Sequence, residues 1–333
     1  MICSVGDSSH RGSPPGEENP AALERAAEQL GAEIRGAVRR LGRRGAVVGV
    51  SGGVDSGVVA ALCARALGPG RVLCLRMPER DVGDDSSDLG LQLAESLGCA
   101  TVEESITASL EGLGCYRRRD AAIRQVFPDY DPTWRHKLVR SAATGGMIVF
   151  SLVVERPGGE QERRRMPAGP YRELLAATNM KQRVRKLMEY TWADNLGYAV
   201  AGTANLLEHD QGFFVKGGDG LADFKPIAGL YKQQVFALAR HLGLPEAIAG
   251  RAPTTETFSL PQSQEEFYFG HPHERMDLLV WGERHAVPAD ELAGPAGVAP
   301  EAVATAYAEI ARRRAATAYL HAPALVADAP DLS

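Results

Sequence analysis

The chain is poor in the features that would send it outside the cell or into a membrane. Its five cysteines, Cys3, Cys63, Cys74, Cys99 and Cys115, form no CxxC pair and show no metal-ligand spacing. A reduced, cytoplasmic setting follows as the expectation. No apolar run reaches the length of a membrane span. The N-terminus has no basic start leading into an apolar stretch, so it does not read as a secretory signal. A net charge of −5 argues against general nucleic-acid binding. GxxxxGK[ST] is missing, which excludes a Walker A phosphate loop. There is no internal repeat.

What remains is an ordinary globular composition, 44% hydrophobic and 24% charged over 333 residues. Residues 1–19, rich in Ser, Gly and Pro, read as a disordered tail, and 323–333 as a second tail. Residues 20–322 read as one domain. Leu23, Ala27, Leu30, Ile34 and Val38 fall at helical spacing over about 20–41. Ala46-Val47-Val48-Gly49-Val50 reads as a buried parallel strand, followed by a turn and a helix through Val58 to Leu67. Val72–Leu75 is a further strand, Leu89–Leu97 a helix, Ala100–Val102 a strand. This alternation predicts an α/β fold, a doubly wound parallel sheet with helices on both faces.

The rhythm breaks over 113–170. A charged segment (Arg117, Arg118, Arg119, Asp120) and a Pro-punctuated loop precede a strand over Met147–Glu155. Gly158-Gly159 turns it back into Gln161–Arg165, a β-hairpin. Tyr171–Leu196 then reads as a long helix capped by Gly197. Tyr198–Gly202 is a strand, Lys232–Leu242 a helix, and the last third is helical, including Glu301–Tyr319.

The sharpest signal is Ser51-Gly52-Gly53-Val54-Asp55-Ser56, set between an apolar strand and a helix. Two glycines allow a ligand to approach the backbone, and free N–H groups at the helix start favour an anion. Ser51 and Ser56 add hydroxyls, and Asp55 can place a metal ion on the phosphates. A plain strand–turn–helix with small residues is the bland reading of the same six positions. With this loop the chain resembles the N-type ATP pyrophosphatases. Their loop holds the β- and γ-phosphates and leaves the α-phosphorus open to a carboxylate.

Further blocks narrow the resemblance. They are Asn179-Met180-Lys181-Gln182-Arg183, Gly202-Thr203-Ala204-Asn205-Leu206-Leu207-Glu208, Gln211 to Gly220, Asp223-Phe224-Lys225-Pro226, Ala252-Pro253-Thr254-Thr255-Glu256 and Gln264-Glu265-Glu266. Together they resemble the ammonia-dependent NAD synthetases from roughly 20 to 320, with 113–170 excepted. The resemblance implies an AMP-forming ligase that adenylates deamido-NAD and amidates it with ammonia, using ATP and Mg2+. It implies a catalytic set of Asp55, Glu208 and Lys232, with the metal on Asp55 and Glu208. It places ATP on Gly49, Ser51, Gly52, Gly53, Asp55, Ser56, Arg76, Thr203, Lys232 and Thr254. It places the dinucleotide on Arg183, Lys216, Asp223, Arg312 and Arg313, and it implies a homodimer. Several assignments have plain structural counterparts: Glu208 as an acid near a helix start, Arg183 on a solvated helix face, Lys216 in a hairpin turn, the 312–314 arginines as solvated surface.

Lys232 opens a helix, where a cation is mildly unfavourable. That oddity favours a functional role. Asp219 and Glu256 are candidate general bases for ammonia. No glutaminase module is expected within this length, so ammonia would come from solution or from a separate glutaminase. The chain departs from the family at Pro253-Thr254-Thr255-Glu256-Thr257-Phe258 and in the 113–170 insertion. The insertion is expected to be an ordered cap beside the acyl-acceptor pocket, with Arg117–Arg119 facing phosphate or carboxylate. The leading alternative is a ligase of the same chemistry acting on another carboxylate, a sugar acid or a specialised metabolite. A tRNA sulfur-transfer enzyme and a non-catalytic nucleotide-binding module are the lesser ones.

Overall fold

The computed structural model describes residues 14–16, 18–81, 84–142, 148–255 and 257–327. Cys3, Met147 and Glu256 therefore lie outside the described residues. In order the elements are α1 (Pro20–Arg40), β1 (Ala46–Gly49), α2 (Val54–Leu67), β2 (Val72–Arg76), α3 (Asp84–Leu97), β3 (Ala100–Glu103), α4 (Thr107–Gly112) and α5 (Cys115–Arg124). Next come β4 (Arg135–Ala142), β5 (Ile148–Glu155), β6 (Gln161–Arg165), α6 (Ala168–Leu196), β7 (Ala199–Ala201) and α7 (Leu206–Gln211). The chain continues through α8 (Lys232–His241), α9 (Glu246–Ala249), α10 (His273–Arg284), α11 (Ala289–Ala296) and α12 (Pro300–His321).

The main sheet has the order β3-β2-β1-β7, every pair parallel. The chain leaves β1 toward β2 and β3, then returns to place β7 on the other side of β1. That reversal opens a crevice at the carboxyl ends of β1 and β7. Helices cover both faces, as the alternation predicts. Ala46 and Val48 pack toward α1, α2, α3 and α8, around Ile34, Val58, Leu62, Leu93 and Leu238. Val47, Leu73, Leu75 and Val200 face the opposite way, onto Ile106, Leu110, Tyr116, Val184 and Ala193 of α4, α5 and α6. A third core lies under α10, α11 and α12, built on Leu279, Trp281, Leu292, Val303 and Ile310. Among the described residues no helix is long and apolar enough to cross a membrane.

Within the 113–170 stretch, residues 113–142 and 148–170 contain three further strands and the helix α5. Its start is helical: Arg117, Arg118 and Arg119 lie on α5. Arg119 is 3% exposed and paired with Asp81 and Asp120. For Arg119 this corrects the expectation that the arginine run faces a ligand; Arg117 and Arg118 are exposed. The β5–β6 hairpin forms with the expected return strand, Glu155 opposite Gln161. The strand β4 was not anticipated. It pairs antiparallel with β5 and completes a three-stranded sheet, β4-β5-β6. Leu138, Leu152 and Val154 bury against Ile123, Phe127 and Leu174, which gives the insertion its own core. The long helix α6 starts at Ala168 and ends at Gly197, whose φ of +65° is the left-handed cap that glycine tolerates.

Where the insertion meets the main body, charge is buried. Lys181, 2% exposed, donates to Glu79 Oε1 at 2.8 Å, Asp81 Oδ2 at 2.7 Å and the Thr257 carbonyl at 2.9 Å. Arg119 pairs with the same Asp81, and Tyr116 Oη donates to Glu79 at 2.8 Å. Those two cations hold the Asp81 carboxyl well below its ordinary pKa against the opposing pull of burial.

Candidate active site

Past β1 the chain turns at Gly52, whose φ of +74° is a conformation glycine adopts without strain. Ser56 Oγ accepts from Ser51 N at 3.3 Å and donates to the Gly53 carbonyl at 3.0 Å. Gly53 opens α2 with no side-chain cap, so the first-turn amides remain available to an anion. Arg251 Nη1 donates to the Gly52 carbonyl at 3.2 Å and lines the same cavity. At Gly49 the constraint is crowding. A Cβ there would stand 2.8 Å from Glu189 Oε1, because α6 passes directly over the end of β1.

Around this turn lies a cavity of about 680 Å³. Asp55, in the first turn of α2, pairs with the Lys232 ammonium and accepts from Asn205 Nδ2 at 3.1 Å. Asn205 is also the cap of α7, and its backbone N–H donates to Glu208 Oε2 at 3.1 Å. One residue thus holds the two carboxylates, one from each side of the crevice. Gln264 Nε2 donates to Glu208 Oε1 at 2.9 Å. Burial, and then the charge of Asp55, push the Glu208 carboxyl up to about 7. Lys232 is 2% exposed and lies at the start of α8. Its unfavourable place is offset by Asp277, which accepts from Lys232 N at 3.1 Å and Gln233 N at 2.8 Å.

Two converging carboxylates, one of them made reluctant to ionise by burial and by the other's charge, suit a hard divalent cation. Among the described residues no group of three His, Cys, Asp or Glu could hold a metal alone. The remaining ligands would be phosphate oxygens and water, as Mg2+ commonly takes them.

The other expected positions divide. Gly49, Ser51, Gly53, Ser56, Arg76, Thr203, Thr254, Arg183, Lys216 and Asp219 line the cavity. Arg76 is steadied by Ser87 at 2.9 Å and Glu103 at 2.6 Å. Arg183 Nε donates to the Lys216 carbonyl at 3.3 Å, and Lys216 Nζ to the Tyr319 carbonyl at 2.7 Å. The Asp219 carboxyl, raised by burial, accepts from Val215 N at 2.7 Å. Asp223 is instead occupied with Val200 N at 2.7 Å and Tyr190 Oη at 3.2 Å. Arg313 pairs with Glu309 and stacks 4.9 Å over Tyr268, and Arg312 is exposed; neither lines the cavity. Asn205, Gln264, Arg251, Phe150, Tyr171 and Phe267 were not singled out from the sequence. Asn205 and Gln264 stood inside quoted blocks, but no local pattern reveals that they hold the carboxylates.

With this geometry in view, the likeness to known proteins is specific. The family model for NAD synthase matches residues 26–120 and 161–319. An NH(3)-dependent NAD(+) synthetase of Rhizobium meliloti is 51% identical over 297 residues, covering 89% of both chains. That of Mesorhizobium japonicum is 48% identical over 92% of this chain and 96% of its own. That of Thermotoga maritima is 36% identical over 76% and 85%. Among solved structures, an NMN synthetase from Francisella tularensis superposes with a TM-score of 0.64 at 21% identity, covering 94% of this chain and 100% of its own. An NH3-dependent NAD synthetase from Campylobacter jejuni gives 0.59 at 22%, covering 92% and 99%. These two establish the likeness of fold. Sequence match, sheet topology and the site at the switch point agree: the chain belongs to the NAD synthase family.

Proposed function

We propose that the chain makes NAD by ATP-dependent, AMP-forming amidation of deamido-NAD with ammonia. The observation that carries this is the pairing of Asp55 and Glu208 about Asn205, beside a phosphate turn with open helix amides. A nucleotide-binding module needs the turn but not two mutually repelling carboxylates beside it.

The first amides of α2 and the Ser51 hydroxyl hold the β- and γ-phosphates of ATP, with Ser56 bracing the turn from within. Asp55 and Glu208 would hold Mg2+, which neutralises charge on the departing pyrophosphate. The substrate carboxylate attacks the α-phosphorus, and the bond to pyrophosphate breaks. Lys232, buried and already turned toward Asp55, adds a fixed positive charge where negative charge develops. Ammonia then attacks the acyl carbon, AMP leaves with the bonding pair, and the surplus protons pass to solvent. Positioning supplies most of the rate, as in other phosphate-transfer sites.

Incubation with ATP, Mg2+, ammonia and deamido-NAD should yield NAD and AMP in equal amounts. AMP release with no NAD would redirect the reading to a different carboxylate. The four described free cysteines fit a cytoplasmic enzyme. A homodimer is also proposed, supported by Leu187 on α6 standing 64% exposed. Other apolar residues of that helix serve the chain itself: Leu174 is fully buried, Trp192 donates to Glu104, and Tyr190 to Asp223.

A further inference from the structure

The matched stretches of the family model leave out residues 121–160, yet this part of the chain reaches the site. Phe150, on β5, lines the cavity together with Tyr171, Leu175 and Phe267. We propose that Phe150 is a specificity-determining residue, an aromatic wall for the pyridine ring of the deamido dinucleotide. This rests on the function proposed above.

Three observations carry it. The ring is held in place before any ligand arrives. It stacks on Tyr171 with centroids 4.7 Å apart and planes 19° from parallel, and Phe267 leans on it at 6.2 Å. Its strand is fixed on both sides, opposite Arg140 of β4 and bonded to Met166 N through the Phe150 carbonyl at 2.9 Å. A fixed apolar face suits a flat heteroaromatic ring, which stacks at little entropic cost.

The wall also adjoins the reacting end. Phe267 lies three residues beyond Gln264, the residue bonded to Glu208. A carboxylate on a ring resting against this wall lies on the side of the metal-binding pair.

Finally, the wall is far from Gly49 and Arg76, which the family resemblance assigns to ATP. Along α6 the lining residues run from Tyr171 through Leu175, Thr178, Gln182 and Lys186 to Glu189. At about 1.5 Å of rise per residue that face spans roughly 27 Å. Gly49, next to the Arg76 and Met77 edge, packs against the Glu189 end, and Phe150 against the Tyr171 end. The two ends serve two substrates.

The test is steady-state kinetics on the full chain with ATP, Mg2+, ammonia and deamido-NAD. Phe150→Ala should raise KM for deamido-NAD about tenfold, in keeping with a lost base–aromatic stack, and leave KM for ATP within about twofold. Phe150→Tyr should restore the wild-type value. If Phe150→Ala melts early, Phe150→Leu keeps apolar bulk without the aromatic face and should show the same split. A rise in KM for ATP instead, or no change in either KM, would overturn the assignment and leave Phe150 as packing. A wild type that forms no NAD would refute the function itself, and this inference with it.

Discussion

Asp55 carries two demands at once, a partner for Lys232 and an oxygen for a cation on the phosphates. Asp55→Ala should cut AMP formation by a factor of about 10² to 10³, the usual cost of losing a preorganised electrostatic group. Its circular dichroism should match wild type; near-normal turnover with Mg2+ would sink the assignment. Glu208→Gln removes the charge but keeps an oxygen. It should shift the Mg2+ activation curve to higher concentration and lower turnover together. An unchanged curve would place the metal elsewhere. A third residue governs stability. His136 is 1% exposed, set between Ser259 Oγ and Tyr130 Oη, and burial holds its pKa down at about 3. In the unfolded chain an ordinary histidine takes its proton near pH 6.5, so between 6.5 and 3 only the unfolded state binds it. Stability is therefore present above 6.5 and lost as pH falls. The loss approaches about 1.4 kcal/mol per pH unit, or roughly 2 kcal/mol by pH 5. Urea midpoints at pH 7 and pH 5 should differ less in His136→Gln than in wild type; an equal difference would assign the acid sensitivity to other groups. Asp55 stood out by its place inside a phosphate turn, whereas Glu208 and Lys232 entered through the family resemblance; the structure brings the three side chains together. His136 was not legible in the sequence, because its burial depends on β4 meeting the 257–260 loop.

At the scale of elements, β4 has a role that its own sequence conceals. It grips the segment that carries Thr254, Thr257, Gln264 and Phe267 to the cavity. Leu260 N donates to the His136 carbonyl at 3.0 Å, and His136 N to Ser259 Oγ at 2.9 Å. Lys137 pairs with Glu266 at 2.8 Å, Gln262 donates to the Leu138 carbonyl, and Arg140 Nη1 to the Phe269 carbonyl at 2.9 Å. The insertion thus fastens one wall of the site. Gln262→Ala should loosen that wall and raise KM for ATP by a factor of about five to ten, about one buried hydrogen bond. Protease sensitivity near residue 260 should rise with it; an unchanged KM with increased cleavage would show that the wall moves without affecting ATP. Leu152 and Val154 belong to the core that also holds Phe127 and Leu174, so the β5–β6 hairpin cannot be cut out as an independent unit. The β5–β6 hairpin was readable from its glycine turn. The sequence of β4 alternates weakly, and the segment it grips lies more than a hundred residues away, beyond any local pattern.

For the whole molecule, the parallel sheet and the switch-point crevice followed from alternating strands and helices, since burial on both faces demands continuous apolar strands such as Ala46–Val50. The dimer did not follow in the same way, because most of the apolar positions of α6 are consumed within the chain. Sedimentation at micromolar concentration should still give a dimer, and Leu187→Lys should shift it toward monomer; a wild-type monomer would remove that proposal. The buried cluster of Lys181, Arg119, Glu79 and Asp81 joins the insertion, the loop after β2, helix α6 and the Thr257 loop. Removing one member strands an opposite charge in a dry interior, at a cost of about 3–5 kcal/mol. Its four positions therefore cannot drift independently. In a library randomised at all four, survivors should be coordinated replacements, apolar together or ionic together, with single changes purged. The insertion can be exchanged between relatives only along with the charges it is bolted to.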